Sequence, residues 1–212
     1  MISALPFAYL TIVWDTLPNP IPIHFNAQGE ANGFGTKSEF VLAISFLFCL
    51  GSGMSWLFRN IHKLDPKKKL NADSKTIKII STLLVTFLSI ISIDVIYSSA
   101  NYTGKQDMAV NEKIILSLVS LLFAVLGNFM NNIKPNYFFG IRTPWALENE
   151  DNWRKTHHLS SKMWFFGGLL MLVLILALPA HYATFVLIGI LIPLTIIPFT
   201  YSYLIHKKEM QN

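Results

Sequence analysis

The sequence predicts an all-α polytopic membrane protein of about six transmembrane helices with both termini cytoplasmic. Three observations carry this prediction. First, 52% of the 212 residues are hydrophobic, only 14% are charged, and the mean hydropathy is +0.45. A soluble domain carries about 25% charged residues, so this chain has too little polar surface to cover itself. Second, apolar runs recur at lengths near the roughly 20 residues that a helix needs to cross a hydrocarbon core of about 30 Å. Third, all Lys and Arg except Lys37, Lys105 and Lys113 fall in alternate loops and the C-terminal tail. That is the positive-inside pattern and places those loops in the cytoplasm. The net charge of +5 and pI of about 9.3 therefore report orientation, and no direct nucleic-acid binding is expected. Cys49 is the only cysteine, which excludes a disulfide framework and a Cys-based metal cluster.

The elements follow in order. Residues 1–39 hold a short first span and an extracellular loop. Residues 2–14 are apolar, contain Pro6, and rise only about 20 Å as helix; no basic region precedes them, so a cleaved signal peptide is not expected. In the loop, Pro18, Pro20 and Pro22 favour a stiff extended segment and Gly29, Gly33 and Gly35 favour turns, together a structured cap. Residues 40–130 hold spans at 40–58, 76–97 and 114–130, with a basic cytoplasmic loop at 59–75. Asp94 lies inside a span, which points to proton relay or cation pairing or, near the helix end, to a carboxylate reaching the headgroups. Asn128 is expected to hydrogen-bond a neighbouring helix, and Gly51, Gly53, Gly127, Gly167 and Gly168 to allow close helix packing. Residues 131–212 hold a polar insert to 162, a span at 163–179, a short outer turn, and a last span at 182–205. Pro193 and Pro198 interrupt that span, and neighbouring helices can satisfy the carbonyls they free.

The insert contrasts with its apolar flanks. Thr143-Pro144 reads as a hydroxyl cap followed by proline at the first helical position. Glu148, Glu150 and Asp151 come next, then Arg154 and Lys155. Glu150–Arg154 and Asp151–Lys155 are i,i+4 pairs in the favourable order, worth about 0.2–0.5 kcal/mol each. Trp145 and Trp153, eight apart, fall near one face and suit a membrane interface. The residues alone thus predict an amphipathic interfacial helix on the inner leaflet between spans 4 and 5, with His157-His158 as a surface pair. His24, Asn26 and Glu30, with His181 in the outer turn, offer donors for zinc, but no H-x-x-x-H spacing supports a site. No Ser-His-Asp grouping, P-loop, GxSxG or HExxH is present, so neither an enzyme nor a cofactor is expected. Asp94, the prolines of the last span and the outer cap leave a small proton- or cation-coupled transporter as the alternative reading. A metal-dependent hydrolase using His24 and Glu30 stands behind it.

The wording of two segments goes further. Ile141-Arg142-Thr143-Pro144-Trp145, Asn149-Glu150, Trp153-Arg154-Lys155-Thr156-His157 and Gly167-Gly168 resemble the signature of the SdpI family. These are membrane proteins typified by immunity against a sporulation-delaying toxin. The loop "LPNPIPIHFNAQGEANGFGTKSEF" is similar to an N-terminal domain of uncharacterised function often joined to them. The resemblance implies a multi-pass protein of the bacterial plasma membrane that confers resistance to a secreted, membrane-active peptide toxin. It also implies a receptor that holds a cytoplasmic transcriptional autorepressor at the lipid bilayer. On that basis Arg142, Thr143, Pro144, Trp145, Glu150, Trp153, Arg154, Lys155 and His157 are the candidates for the partner or signalling surface. His24, Asn26, Gly29 and Glu30 are the candidates for the toxin-facing surface. The chain departs from the family prototype in its short first span and in the second histidine, His158, followed by Leu-Ser-Ser.

Overall fold

A computed structural model describes residues 2–25, 31–64, 75–103 and 109–211. Among them, five helices are long and apolar enough to cross a membrane: α2 (Lys37–Leu64), α3 (Lys75–Ala100), α4 (Ala109–Met130), α6 (Glu150–Ala177) and α7 (Ala183–Glu209). The remaining elements are a helix α1 (Leu5–Val13), an antiparallel hairpin of β1 (Ile21–Phe25) and β2 (Ala31–Gly35), and the short helix α5 (Pro144–Glu148). The runs predicted at 40–58, 76–97 and 114–130 lie within α2, α3 and α4, and those at 163–179 and 182–205 lie within α6 and α7 but for Leu178, Pro179 and Tyr182. The segment expected to be a short first span holds α1, whose nine residues rise about 14 Å, half of a hydrocarbon core. It ends in a 3-10 turn at Trp14–Thr16, after which Leu17 is extended, as the residue before a proline prefers.

The chain divides into two compact units, Met1–Leu57 with Ser81–Ile115, and Phe58–Ile80 with Leu116–Asn212, so that α2, α3 and α4 each contribute to both.

In the first unit, Leu10, Leu17, Ile21, Phe40, Ile44 and Ile96 form the buried core, and Phe7 meets Phe48 edge-on at 5.3 Å. The Pro-rich segment, expected as extended cap, pairs with the Gly-rich one: Ile21 faces Gly35 and Pro22 faces Phe34, with register shifts beyond. Gly33 is required there, because a Cβ would sit 2.9 Å from the His24 Cβ. Ser99 Oγ donates to the Pro22 carbonyl at 2.8 Å in a buried bond that ties the hairpin to the end of α3. Helix α2 starts on a reciprocal cap: the Thr36 N–H donates to Glu39 Oε2 at 2.7 Å and the Glu39 N–H to Thr36 Oγ1 at 3.3 Å, the capping-box pattern. Lys37 Nζ donates to the Trp14 carbonyl at 3.0 Å and lies over the Trp14 ring.

In the second unit, α6 and α7 pack around Met171, Ile175, Ala183 and Leu194. Glycines set how closely α4 approaches α6. A Cβ on Gly127 would sit 2.4 Å from the Phe165 N, and one on Gly168 2.5 Å from the Ala124 N. Small residues that let backbones meet drive helix association where lipid offers no hydrophobic gain. Gly167 closes on the Leu194 side chain, whereas Gly51 makes only an ordinary contact with Leu88 and Gly53 meets nothing within 4 Å. Close packing therefore holds for three of the five glycines. Asn128 differs from expectation, since it lies exposed on α4 and the helix contact at that level belongs to Gly127. Pro198 removes the N–H that would pair with the Leu194 carbonyl, and Trp164 Nε1 donates to that carbonyl at 3.0 Å instead.

Candidate functional site

The signature segment folds onto α6 and α7 as a buried polar clasp. Its first part is a loop capped by Asn136, whose Oδ1 accepts from the N–H groups of Phe138 and Phe139, both at 2.7 Å. The Phe139 ring then stacks on Phe58 with centroids 4.9 Å apart. Gly140 follows at φ +94°, and a Cβ there would sit 2.1 Å from His157 Nε2. Only glycine combines that left-handed backbone with so close an approach. It lets the Ile141 N–H donate to His157 Nε2 at 3.1 Å, while His157 Nδ1 faces the Trp153 carbonyl at 2.8 Å. A ring whose Nε2 accepts must carry its hydrogen on Nδ1, so the geometry fixes the neutral Nδ1–H form. The His157 ring stacks on Trp153 at 3.9 Å, and Trp153 Nε1 donates to the Ile133 carbonyl at 2.8 Å. His157 is 1% and Trp153 2% exposed.

The second part centres on Ser202 of α7. Thr143 caps α5 by accepting from the Ala146 N–H at 3.3 Å, and its Oγ1 lies 2.9 Å from Ser202 Oγ. Trp145 Nε1 donates to Ser202 Oγ at 2.8 Å, and Ser202 Oγ donates to Asn152 Oδ1 at 2.8 Å. With its one hydrogen committed to Asn152, Ser202 must accept from Thr143, which fixes the direction of the Thr143 hydroxyl. Asn152 Nδ2 returns a bond to the Ser202 carbonyl at 2.9 Å, and Thr156 Oγ1 donates to Asn152 Oδ1 at 3.1 Å. Thr143, Asn152, Thr156 and Ser202 are all buried. A polar network buried and satisfied to this degree specifies one arrangement of the elements that carry it.

The predicted amphipathic helix is divided. Helix α5 has five residues and stops at Asn149, which is extended and whose Oδ1 caps a new helix by accepting from the N–H groups of Asp151 and Asn152. From Glu150 no Gly or Pro breaks the chain before the apolar run, so α6 continues for 28 residues into the span. At about 1.5 Å per residue it is about 42 Å long, and its polar first turns extend the fifth span. The tryptophans also differ from expectation. Trp153 is buried in the clasp, and Trp145 stacks on His206 with centroids 5.5 Å apart. His157 is core, while His158 alone of the pair is exposed.

Burial sorts the candidate residues. Thr143, Trp153 and His157 are interior. Arg142, Pro144, Glu150, Arg154 and Lys155 are exposed, and Trp145 is half-buried. Arg142 Nη1 donates to the Tyr137 carbonyl at 2.7 Å, which positions the guanidinium at the surface. Arg154 and Lys155 converge on Asp151 at 2.7 and 2.5 Å, joining the predicted i,i+4 pair to an i,i+3 one. Ser202 and Asn152 are the residues that sequence reasoning missed. A serine in an apolar helix ordinarily bonds its own i−4 carbonyl, and nothing local marks this one as different.

Of the outer-loop candidates, His24 is exposed on β1 and its Nδ1 pairs with Asn32 Oδ1 across the hairpin. Asn26, Gly29 and Glu30 lie outside the described residues, and with them the proposed His24–Glu30 metal pairing. Among the described residues no group of three His, Cys, Asp or Glu side chains is arranged to hold a metal. Asp94 is half-buried on α3.

Comparison with known proteins bears on this geometry. Residues 132–202, from the Asn136 loop to Ser202, match the SdpI/YfhL protein family, and residues 1–49 match a domain of unknown function, DUF1648. Across 98% of its length the chain is 23% identical to the immunity protein SdpI of Bacillus subtilis (strain 168), covering 94% of that protein. No solved structure matches the chain. With five apolar helices of span length, it is a multi-pass protein of the bacterial cell membrane, whose whole clasp falls within the residues that match the SdpI/YfhL family model.

Proposed function

We propose that this chain is an integral membrane immunity protein that confers resistance to a secreted, membrane-active peptide toxin. The observation that carries the reading is the similarity to an immunity protein over nearly the full length of both chains. The signature clasp supports it, since Thr143 and Trp145 of the resembling segment bond Ser202 of α7 and so help to lock α5, α6 and α7 together. In this reading the basic end of the bundle is cytoplasmic and the hairpin outward, with His24 on the toxin-facing side. The exposed signature residues Arg142, Pro144, Arg154 and Lys155 are the surface that a cytoplasmic autorepressor would read, and Thr143, Trp153 and His157 hold that surface in shape.

The test is survival of a sensitive bacterium challenged with a sporulation-delaying-type toxin peptide, with and without the chain in its membrane. Rescue is the expected result. Absence of rescue with the protein shown in the membrane would sink the reading. One observation favours a second: Asp94 is a half-buried intramembrane carboxylate with no hydrogen bond or ion pair among the described residues, as a proton or cation carrier requires. Proton or cation flux into liposomes that vanishes in Asp94→Asn would favour transport, and a flat trace would remove it.

A further inference from the structure

From Glu150 onward α6 is one continuous helix, so its polar and apolar parts share a single set of faces. At 100° per residue, Arg154, His158 and Lys162 fall on the same arc as Phe166, Val173 and Leu176. All six are exposed, Phe166 and Val173 to 65% and 61%. The opposite side of α6 is occupied by the clasp and by Gly168, Met171 and Ile175. The exposed arc is therefore the lipid-facing side of the helix, and its apolar stripe turns cationic at Lys162 while keeping its direction.

The level of the polar part follows from α7. The Asn152–Ser202 bonds set the first turn of α6 beside Tyr201 and Tyr203, both exposed, and exposed tyrosines mark the headgroup zone. Lys162 lies about 15 Å deeper by helix rise, within reach of that zone only by extending its stem toward it, as lysines at span ends do. Arg154 and Lys155 share Asp151, whereas neither Lys162 nor His158 pairs with a carboxylate among the described residues. The arc thus presents more cationic than anionic groups at the polar end of the span, with the Lys162 stem free to extend toward the headgroups.

We propose that the Arg154–His158–Lys162 face of α6 binds the headgroups of anionic phospholipids in the adjacent leaflet. This fixes the depth of the helix that carries the signature. The inference rests on the membrane placement of the chain and stands whether or not the immunity reading does.

Full-length protein in neutral detergent is titrated with phosphatidylglycerol or with phosphatidylcholine of the same acyl chains, and the unfolding midpoint is read. Phosphatidylglycerol should raise the midpoint more, and the excess should shrink with salt. Lys162→Gln or Arg154→Gln should each weaken the apparent affinity for phosphatidylglycerol about fivefold, the worth of one cation near an anionic surface, and Lys162→Arg should restore it. Equal shifts by the two lipids would overturn the proposal, as would a Lys162→Gln protein that keeps the whole excess. Reproduction of the effect by soluble glycerol phosphate would overturn the assignment to lipid. An Arg154→Gln protein that keeps the excess but loses toxin protection would give the face to a protein partner instead.

Discussion

Ser202 engages in four hydrogen bonds with three side chains, Thr143, Trp145 and Asn152, through one hydroxyl and one carbonyl. Ser202→Ala strands the half-buried Trp145 N–H and the buried Thr143 hydroxyl, so we expect it to cost about 1–3 kcal/mol, read as a lowered unfolding midpoint by circular dichroism in detergent. Gly140→Ala should cost at least as much, because both the positive φ and the contact with His157 Nε2 exclude a Cβ. Gly53→Ala, with open space around it, should instead gain up to about 1 kcal/mol of helix propensity. A calorimetric scan showing the same sign for the two alanines would contradict the clasp geometry. The Thr143-Pro144 start was legible at this scale, because a cap is a local chemical act. The buried state of His157 was not, since it depends on Gly140 and Ile141 arriving from a loop sixteen residues away. Ser202 was illegible for the same reason, at a separation of about fifty residues.

For the elements, hydropathy located the long helices because the bilayer demands one length and one composition. It misjudged continuity where polar chemistry decides. The Asn149 cap ends one helix and begins another, so the interfacial helix became a short helix plus the polar start of a long span. The hairpin escaped notice because Pro22 in β1 and Gly33 and Gly35 in β2 are of the residue types that suppress strand signals. The Thr36–Glu39 capping box that follows it was written in the sequence as T-x-x-E. Packing at this scale predicts a contrast. Gly168→Leu would drive a branched side chain into the α4 backbone at Ala124 and should prevent α4 and α6 from closing. Trp164→Phe keeps the ring but strands the Leu194 carbonyl beside Pro198, with an expected cost of about 1–2 kcal/mol. Resistance to proteolysis in mild detergent separates the two, with Gly168→Leu cleaved rapidly and Trp164→Phe nearly native. Equal resistance would mean that the glycine contact does not hold the helices.

Taken whole, the signature has a buried part and an exposed part that mutation can separate. Interior signature residues hold α5, α6 and α7 together, and any loss of function in Ser202→Ala should follow the amount of folded protein. Arg142 is different. It is exposed and held by one bond to a loop carbonyl, so Arg142→Ala should leave stability within about 0.5 kcal/mol of the native chain. If the immunity reading is right and this surface is read by a partner, Arg142→Ala should lose protection or signalling at an unchanged unfolding midpoint and an unchanged level in the membrane. Asp94→Asn should keep protection, since the carboxylate has no part in the clasp. The decisive experiment is therefore a survival curve run beside a thermal melt for these three variants. Parallel loss of survival and stability in all of them would reduce the signature to a structural clasp. Loss of survival in Arg142→Ala alone, with its melt unchanged, would locate the function on the exposed side of the clasp, where the sequence has a charged side chain and the fold gives it no buried role.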